Sequence, residues 1–301
     1  MMNDLLPGTI SLPQAVADTR EASPVSRLRT AQKIALGFAL VELIALFAPT
    51  VGWLYDRWTM SVWHNAHGLL IPPIVAYLAY QELKPLTRLP ASSSVWGFVF
   101  LVPALLLLAI DAGMQTQLLS AIAIWMALPG LSLLFLGTQR TRAIGFPLLF
   151  LAFALPIPLG LTEQLHWQLR QFTTAGVSAI VPLFGIPLFV EGTTVHSARG
   201  AVQIADACSG FSTLYAAAAV ACLTAYSATS TLRRVLVVLS FAPLAIAANL
   251  VRVAGLVALV ALYGKDVLET PLHPLSGMMT FVLALPVIFW LGGSPTRKQP
   301  V

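Results

Sequence analysis

Charge is the scarcest property of this 301-residue sequence, in which Asp, Glu, Lys and Arg together make up only 10%. An average soluble domain carries about 25%. So few charges cannot clothe a water-facing surface, which excludes an ordinary soluble domain. Cysteine is nearly absent, with Cys208 and Cys222 the two copies. That excludes a disulfide framework and a CxxC zinc pattern. If residues 209–227 form one helix, the two sulfurs stand roughly 20 Å apart at about 1.5 Å per residue. A bridge needs Cα atoms within about 7 Å, so Cys208 is expected to be a free thiol. Residues 1–30 lack an apolar run and carry Pro, Ser, Asp and Arg. They read as a disordered cytoplasmic tail without a cleavable signal peptide. The net charge of +5 is scattered over short segments, which excludes a nucleic-acid surface. No internal repeat or linker divides the chain, so residues 31–293 read as a single transmembrane domain and 294–301 as a second short tail.

What the sequence has in plenty is apolar side chains, at 57% with a mean hydropathy of +0.82. A membrane helix needs roughly 20 such residues in a row. Apolar runs lie near 34–51, 67–81, 95–111, 118–137, 143–160, 209–227, 235–262 and 274–292. The second is short and carries Pro72-Pro73, and the seventh is long enough to tilt or protrude. The expected fold is an all-α polytopic membrane protein of about eight transmembrane helices. A small extracytoplasmic segment, an interfacial helix plus a short hairpin, precedes the sixth.

Basic residues set the direction of such a chain. With the N-terminus in the cytoplasm, twelve of the 17 fall on the inner side: Arg20, Arg27, Arg29, Lys33, Lys84, Arg88, Arg140, Arg142, Arg233, Arg234, Arg297 and Lys298. Four fall outside, Arg57, Arg170, Arg199 and Lys265, and Arg252 lies within a span. Both termini are then cytoplasmic, in an inner (cytoplasmic) membrane protein. The outer side receives the long segment 161–208, which opens on TEQLHWQLRQFTTAG with Trp167 at headgroup level. It continues through two β-prone runs, 193–196 and 201–205, that would carry Cys208 to the outer surface.

Three residues then fall together. Cys208 sits in ADACSGF at the start of the sixth span, where a helix N-terminus lowers a thiol pKa. Its bland alternative is a small apolar residue at a packed helix start. Arg252, in NLVRVAGLV, is an ionisable residue inside a span and so a site candidate. Its alternative is an arginine snorkelling to the interface. Asn249 shares its face three residues earlier, and Gly255 three residues later would let a helix approach. His273, in LHPLSGMMTF, opens the eighth span. All three fall on the outer side, and thiol, guanidinium and imidazole are the parts of an acyl-transfer site.

The order CSG (Cys208, Ser209, Gly210), then Asn249-x-x-Arg252, then His273-x-x-x-Gly277 resembles the exosortase/archaeosortase family of membrane transpeptidases. So does the lead-in GIPLFVEGTTVHSARGAVQIADACSG, and more loosely WLYDRWTMSVWHNAHGLLIPP around His67-Gly68. The resemblance is strongest over about 185–280. It implies a cysteine peptidase that cuts the C-terminal sorting signals of exported proteins, of the PEP-CTERM kind, made of a short motif, an apolar span and a basic tail. The new carboxyl end would pass to a surface acceptor, an exopolysaccharide or a lipid. Cys208 would be the nucleophile, Arg252 a stabiliser of developing charge and His273 the acid/base, with Ser209, Gly210, Asn249 and Gly277 in support. No cofactor is implied.

Rival readings rest on other residues. His64 and His67 with His166 or His196 offer imidazoles for a metal, without a carboxylate cluster to support it. Glu42 in the first span could pair with Arg252 or mark an ion path, which would suit a small transporter. A non-catalytic membrane assembly factor is the third reading. The polar candidates gather at one surface, which favours the enzyme.

Overall fold

The computed structural model describes residues 24–59, 66–88, 92–205, 208–270 and 272–293; among these, the side chains of 24–36, 39–40, 159, 161, 272–274 and 278–284 stand outside the description. The chain divides into two compact units, residues 1–48 and 49–301. Helix α1 (Pro24–Thr59) runs across the division. It begins inside the segment read from sequence as tail. The expectations for residues 1–23 and 294–301 lie outside the described residues, and Glu42 belongs to the first unit.

The second unit is mostly helical. It contains α2 (Ile71–Leu83), α3 (Gly97–Met114), α4 (Leu118–Ala143) and α5 (Gly145–Phe150), the last prolonged by a 3-10 turn to Ala154. Then come α6 (Leu159–Ile180), a small sheet, α7 (Phe211–Ser227), α8 (Thr231–Tyr263) and α9 (Leu272–Gly292). Among the described residues, α3, α4 and α8 are long and apolar enough to cross a membrane. Two apolar helices, 145–154 and α7, are shorter. The run at 143–160 therefore yields a short helix where a full-length one was expected. Pro156 and Pro158 supply no backbone N–H to continue it, and Leu155 is extended. At the other limit of this region, α4 kinks at Gly137, whose φ of 76° few other residues adopt. The apolar run ends at that kink, and the polar TQRTRA follows it.

Contacts at the helix ends give the directions of travel. Phe146, opening α5, stacks on Tyr226 near the end of α7 with ring centroids 3.7 Å apart. At the opposite end, the Tyr215 hydroxyl near the start of α7 donates to the Leu155 carbonyl at 3.3 Å. So α5 and α7 run antiparallel. Tyr226 also donates to Glu82 at the end of α2, which makes α2 and α7 parallel. These are the directions expected of the second, fifth and sixth apolar runs. Trp58 Nε1 closes the same level as Tyr215 by donating to the Ala154 carbonyl at 2.8 Å.

The sheet replaces the expected hairpin with a three-stranded meander: β1 (Phe189–Glu191), β2 (Thr194–Ser197) and β3 (Gly200–Gln203), all antiparallel. The extra strand comes from Phe189-Val190-Glu191, whose Val190 stands opposite Val195. Val195 stands opposite Val202 in turn, and these two are buried. They pack with Ile204, Val177 and Val181 against Val253, Val257 and Val260. The last three are spaced four and three apart, one face of α8. At about 1.5 Å per residue, the 33 residues of α8 measure roughly 50 Å, against a hydrocarbon core of about 30 Å. Its second half is the post on which the sheet is mounted. Arg199, in the β2–β3 turn, ties that turn to α8 by donating to the Leu262 carbonyl.

Candidate active site

The chain leaves the sheet at Gln203 and reaches α7 at Phe211, and Cys208 lies on the way. Its side chain is buried at 7% exposure and belongs to the valine and isoleucine cluster under the sheet. Neither cysteine is in a disulfide. The expectation of a thiol lowered by a helix N-terminus is corrected here. Burial pushes the Cys208 thiol up from its ordinary value, and the nearby Arg252 charge pulls it down by a smaller amount. A thiolate in an apolar cluster loses its hydration, and that cost outweighs one guanidinium.

Two side chains grip the turn that carries the thiol. Asn249 of α8, 2% exposed, donates through Nδ2 to the Cys208 carbonyl at 3.0 Å. From the other flank, His166 Nδ1 of α6 meets Ser209 Oγ at 3.1 Å, and the Phe211 N–H donates to that same oxygen at 3.3 Å. Between them, Gly210 has a φ of 85°, in the left-handed region. A Cβ there would sit 2.6 Å from Asn249 Cγ. Glycine is required twice over, by backbone conformation and by the amide pressed against it.

Arg252 lies one turn beyond Asn249. It is half-buried between α8 and α9, and its Nε donates to Ser276 Oγ at 3.0 Å. It stands eleven residues before the end of α8, roughly 16 Å at about 1.5 Å per residue. A snorkelling side chain would lie nearer the helix end and run into the interface. Gly277 lies beside the guanidinium: a Cβ there would be 3.7 Å from one terminal nitrogen, an ordinary van der Waals contact. Gly255, expected to admit a neighbouring helix, faces open space within 4 Å.

The structure thus brings Cys208, Ser209, Gly210, Asn249, Arg252 and Gly277 into one neighbourhood. His273 is in the first turn of α9, and its side chain lies outside the described residues. Sequence reasoning missed Ser276 and saw His166 only as a metal ligand. Ser276 carried a weak signal, since it directly precedes the motif glycine. His166 carried none, because its partner is 43 residues away. The metal reading finds no support among the described residues, where no group of three His, Cys, Asp or Glu converges. His67 and His166 are kept apart by two aromatic rings: His67 meets Tyr215 at 5.0 Å, Tyr215 meets Phe211 at 6.2 Å and Phe211 meets His166 at 4.5 Å. His64 lies outside the described residues.

No curated protein and no solved structure matches the chain. A family profile does, that of the transmembrane exosortases, over residues 58–290. The match starts at Trp58, which donates to the Ala154 carbonyl, and runs through the cysteine turn and the Asn249–Arg252 face to Trp290 in the last turn of α9. It covers most of the chain, and on it this membrane protein belongs to the transmembrane exosortase family.

Proposed function

We propose that this protein is a membrane cysteine transpeptidase that cuts C-terminal sorting signals of exported proteins and passes the new carboxyl end to a surface acceptor. The observation that carries the reading is the joint placement of a buried thiol and a half-buried guanidinium, with the thiol's own carbonyl anchored to the guanidinium's helix. In this reading His273 takes the Cys208 proton, and the sulfur attacks the scissile carbonyl. A thiol held in its neutral form by burial needs such a base at the moment of attack. The oxyanion develops beside Arg252, whose Nε is committed to Ser276 and whose two terminal nitrogens form a fork toward it. The C–N bond breaks, the leaving amine takes the proton from His273, and a Cys208 thioester remains. An acceptor amine displaces sulfur and restores the thiol; water at the same step would give hydrolysis.

The chain would cross the inner membrane eight times with both termini in the cytoplasm and the site on the outer face. The substrate's apolar span would lie in the same bilayer, its basic tail on the cytoplasmic side and its cleavage motif at the height of Cys208. An exopolysaccharide or a lipid would be the acceptor. The test is a tagged exported protein ending in motif, apolar span and basic tail, expressed with the enzyme. Cys208→Ala should accumulate in the membrane and leave the substrate uncut, while Cys222→Ala should cut it normally. Cleavage retained in Cys208→Ala, or lost equally in both, overturns the assignment.

A further inference from the structure

Ser209 is 1% exposed, and a hydroxyl so deeply buried must be paired or it costs stability. Its oxygen accepts the Phe211 N–H at 3.3 Å, which folds the hydroxyl back over the entry of α7. A second bond, 3.1 Å, joins it to Nδ1 of His166. The imidazole packs on the Phe211 ring, centroids 4.5 Å apart. The two partners are 43 residues apart in sequence, with the whole sheet between them. From the other flank, Asn249 holds the Cys208 carbonyl. Cys208 therefore hangs from a turn anchored both on α8 and on α6. The α8 anchor fixes its carbonyl; the α6 anchor acts on the residue that follows.

We propose that His166 is a positioning residue for Cys208: through Nδ1 it locks Ser209, and the locked turn holds the thiol at its working height. The kinetic arm of this proposal rests on the transpeptidase reading; the labelling arm does not. His166 acts through Ser209, so its loss should lower turnover and leave substrate docking largely alone.

The experiment measures two quantities in membranes from a Cys222→Ala background: the rate of Cys208 alkylation by N-ethylmaleimide, and kcat and KM for cleavage. His166→Phe keeps a ring on Phe211 and removes the bond to Ser209. It should raise the alkylation rate, because a loosened turn exposes the thiol more often. It should also lower kcat roughly 10- to 100-fold with KM little changed, the scale of a nucleophile displaced by about 1 Å. His166→Asn places an amide atom near the Nδ1 position and should recover most of both losses. Ser209→Ala should reproduce His166→Phe, and the double variant should be no worse than either, as expected of partners in one bond. His196→Asn, on the sheet, is the control and should change neither readout. Parental behaviour of His166→Phe, additive losses in the double variant, or an Asn variant as impaired as Phe would each overturn the proposal. If His166→Phe fails to accumulate, Ser209→Ala decides alone, and unchanged alkylation there sinks the idea. Should Cys208→Ala still cleave, the transpeptidase reading falls, and the alkylation rates still report whether His166 governs Cys208.

Discussion

At the scale of single residues, the chemistry turns on how a buried thiol is charged. Burial favours the neutral form and the Arg252 charge favours the thiolate, with burial the larger effect. The alkylation rate of Cys208 should accordingly keep rising with pH past the midpoint of a free thiol. Arg252→Gln removes the charge that favours the thiolate, so the profile should move further to the alkaline side; Arg252→Lys keeps the charge and should move it little. A shift toward acid in Arg252→Gln would contradict the placement. Cleavage separates the same variants differently. Lysine is a point charge without a planar fork, so Arg252→Lys should lose about 10²–10³ in rate, the typical cost of one oxyanion donor. Near-normal turnover in Arg252→Lys would reduce Arg252 to a source of charge. Gly210→Ala is expected to fail for two reasons, the 85° φ and the 2.6 Å approach to Asn249 Cγ. The left-handed conformation alone costs about 1–2 kcal/mol. Adding Asn249→Ala relieves the clash and leaves the conformational cost, so the double variant should accumulate better than Gly210→Ala.

At the scale of elements, the α3–α4 hairpin shows how a membrane helix satisfies its first turn. The first four N–H groups of any helix lack internal partners. Gln117 at the start of α4 gives no side-chain cap. Asp111, 2% exposed near the end of α3, reaches across the turn instead. Its carboxylate accepts from the Ser120 N–H at 3.2 Å, the Ser120 hydroxyl at 2.5 Å, the Thr116 N–H at 3.2 Å and the Thr116 hydroxyl. Asp111→Ala leaves the Ser120 donors buried and unpaired, at about 1–3 kcal/mol for such a group, while the exposed Thr116 can turn to solvent. Thermal unfolding in detergent should fall accordingly, while Cys208 alkylation at low temperature stays normal because the cap shares no partner with the cysteine turn. An alkylation rate altered as strongly as the melting temperature would mean that the hairpin and the site are coupled.

At the scale of the whole molecule, sidedness decides which substrates can arrive. The contacts among α2, α5 and α7 establish relative direction, and the basic residues supply the sign. Reporter fusions after Thr229, in the turn between α7 and α8, should report the cytoplasm. Fusions at Thr193 in the sheet and at Lys265 beyond α8 should report the outer side. An outer signal at Thr229 would put Cys208 on the face that exported proteins leave from, and the proposed function would fall with it.

The sequence by itself determined the solvent and the family. Too few charges for water, apolar runs of membrane length and a motif order of cysteine, asparagine-arginine and histidine-glycine are local or compositional properties, and each residue carries its share wherever the chain goes. Asn249 and Arg252 could be placed on one helix face because helical spacing is fixed by backbone geometry. The third strand was not legible, because Phe189-Val190-Glu191 is too short to show a period and pairs only once β2 is beside it. The charge state of Cys208 was not legible either. A helix start is visible in sequence and favours a thiolate, whereas the cluster that buries the sulfur is assembled from α6, the sheet and α8. His166 and Ser276 belong to the same class: their roles are hydrogen bonds to residues 43 and 24 positions away. Desolvation and hydrogen bonding depend on what stands within a few ångströms, and only the tertiary structure decides that.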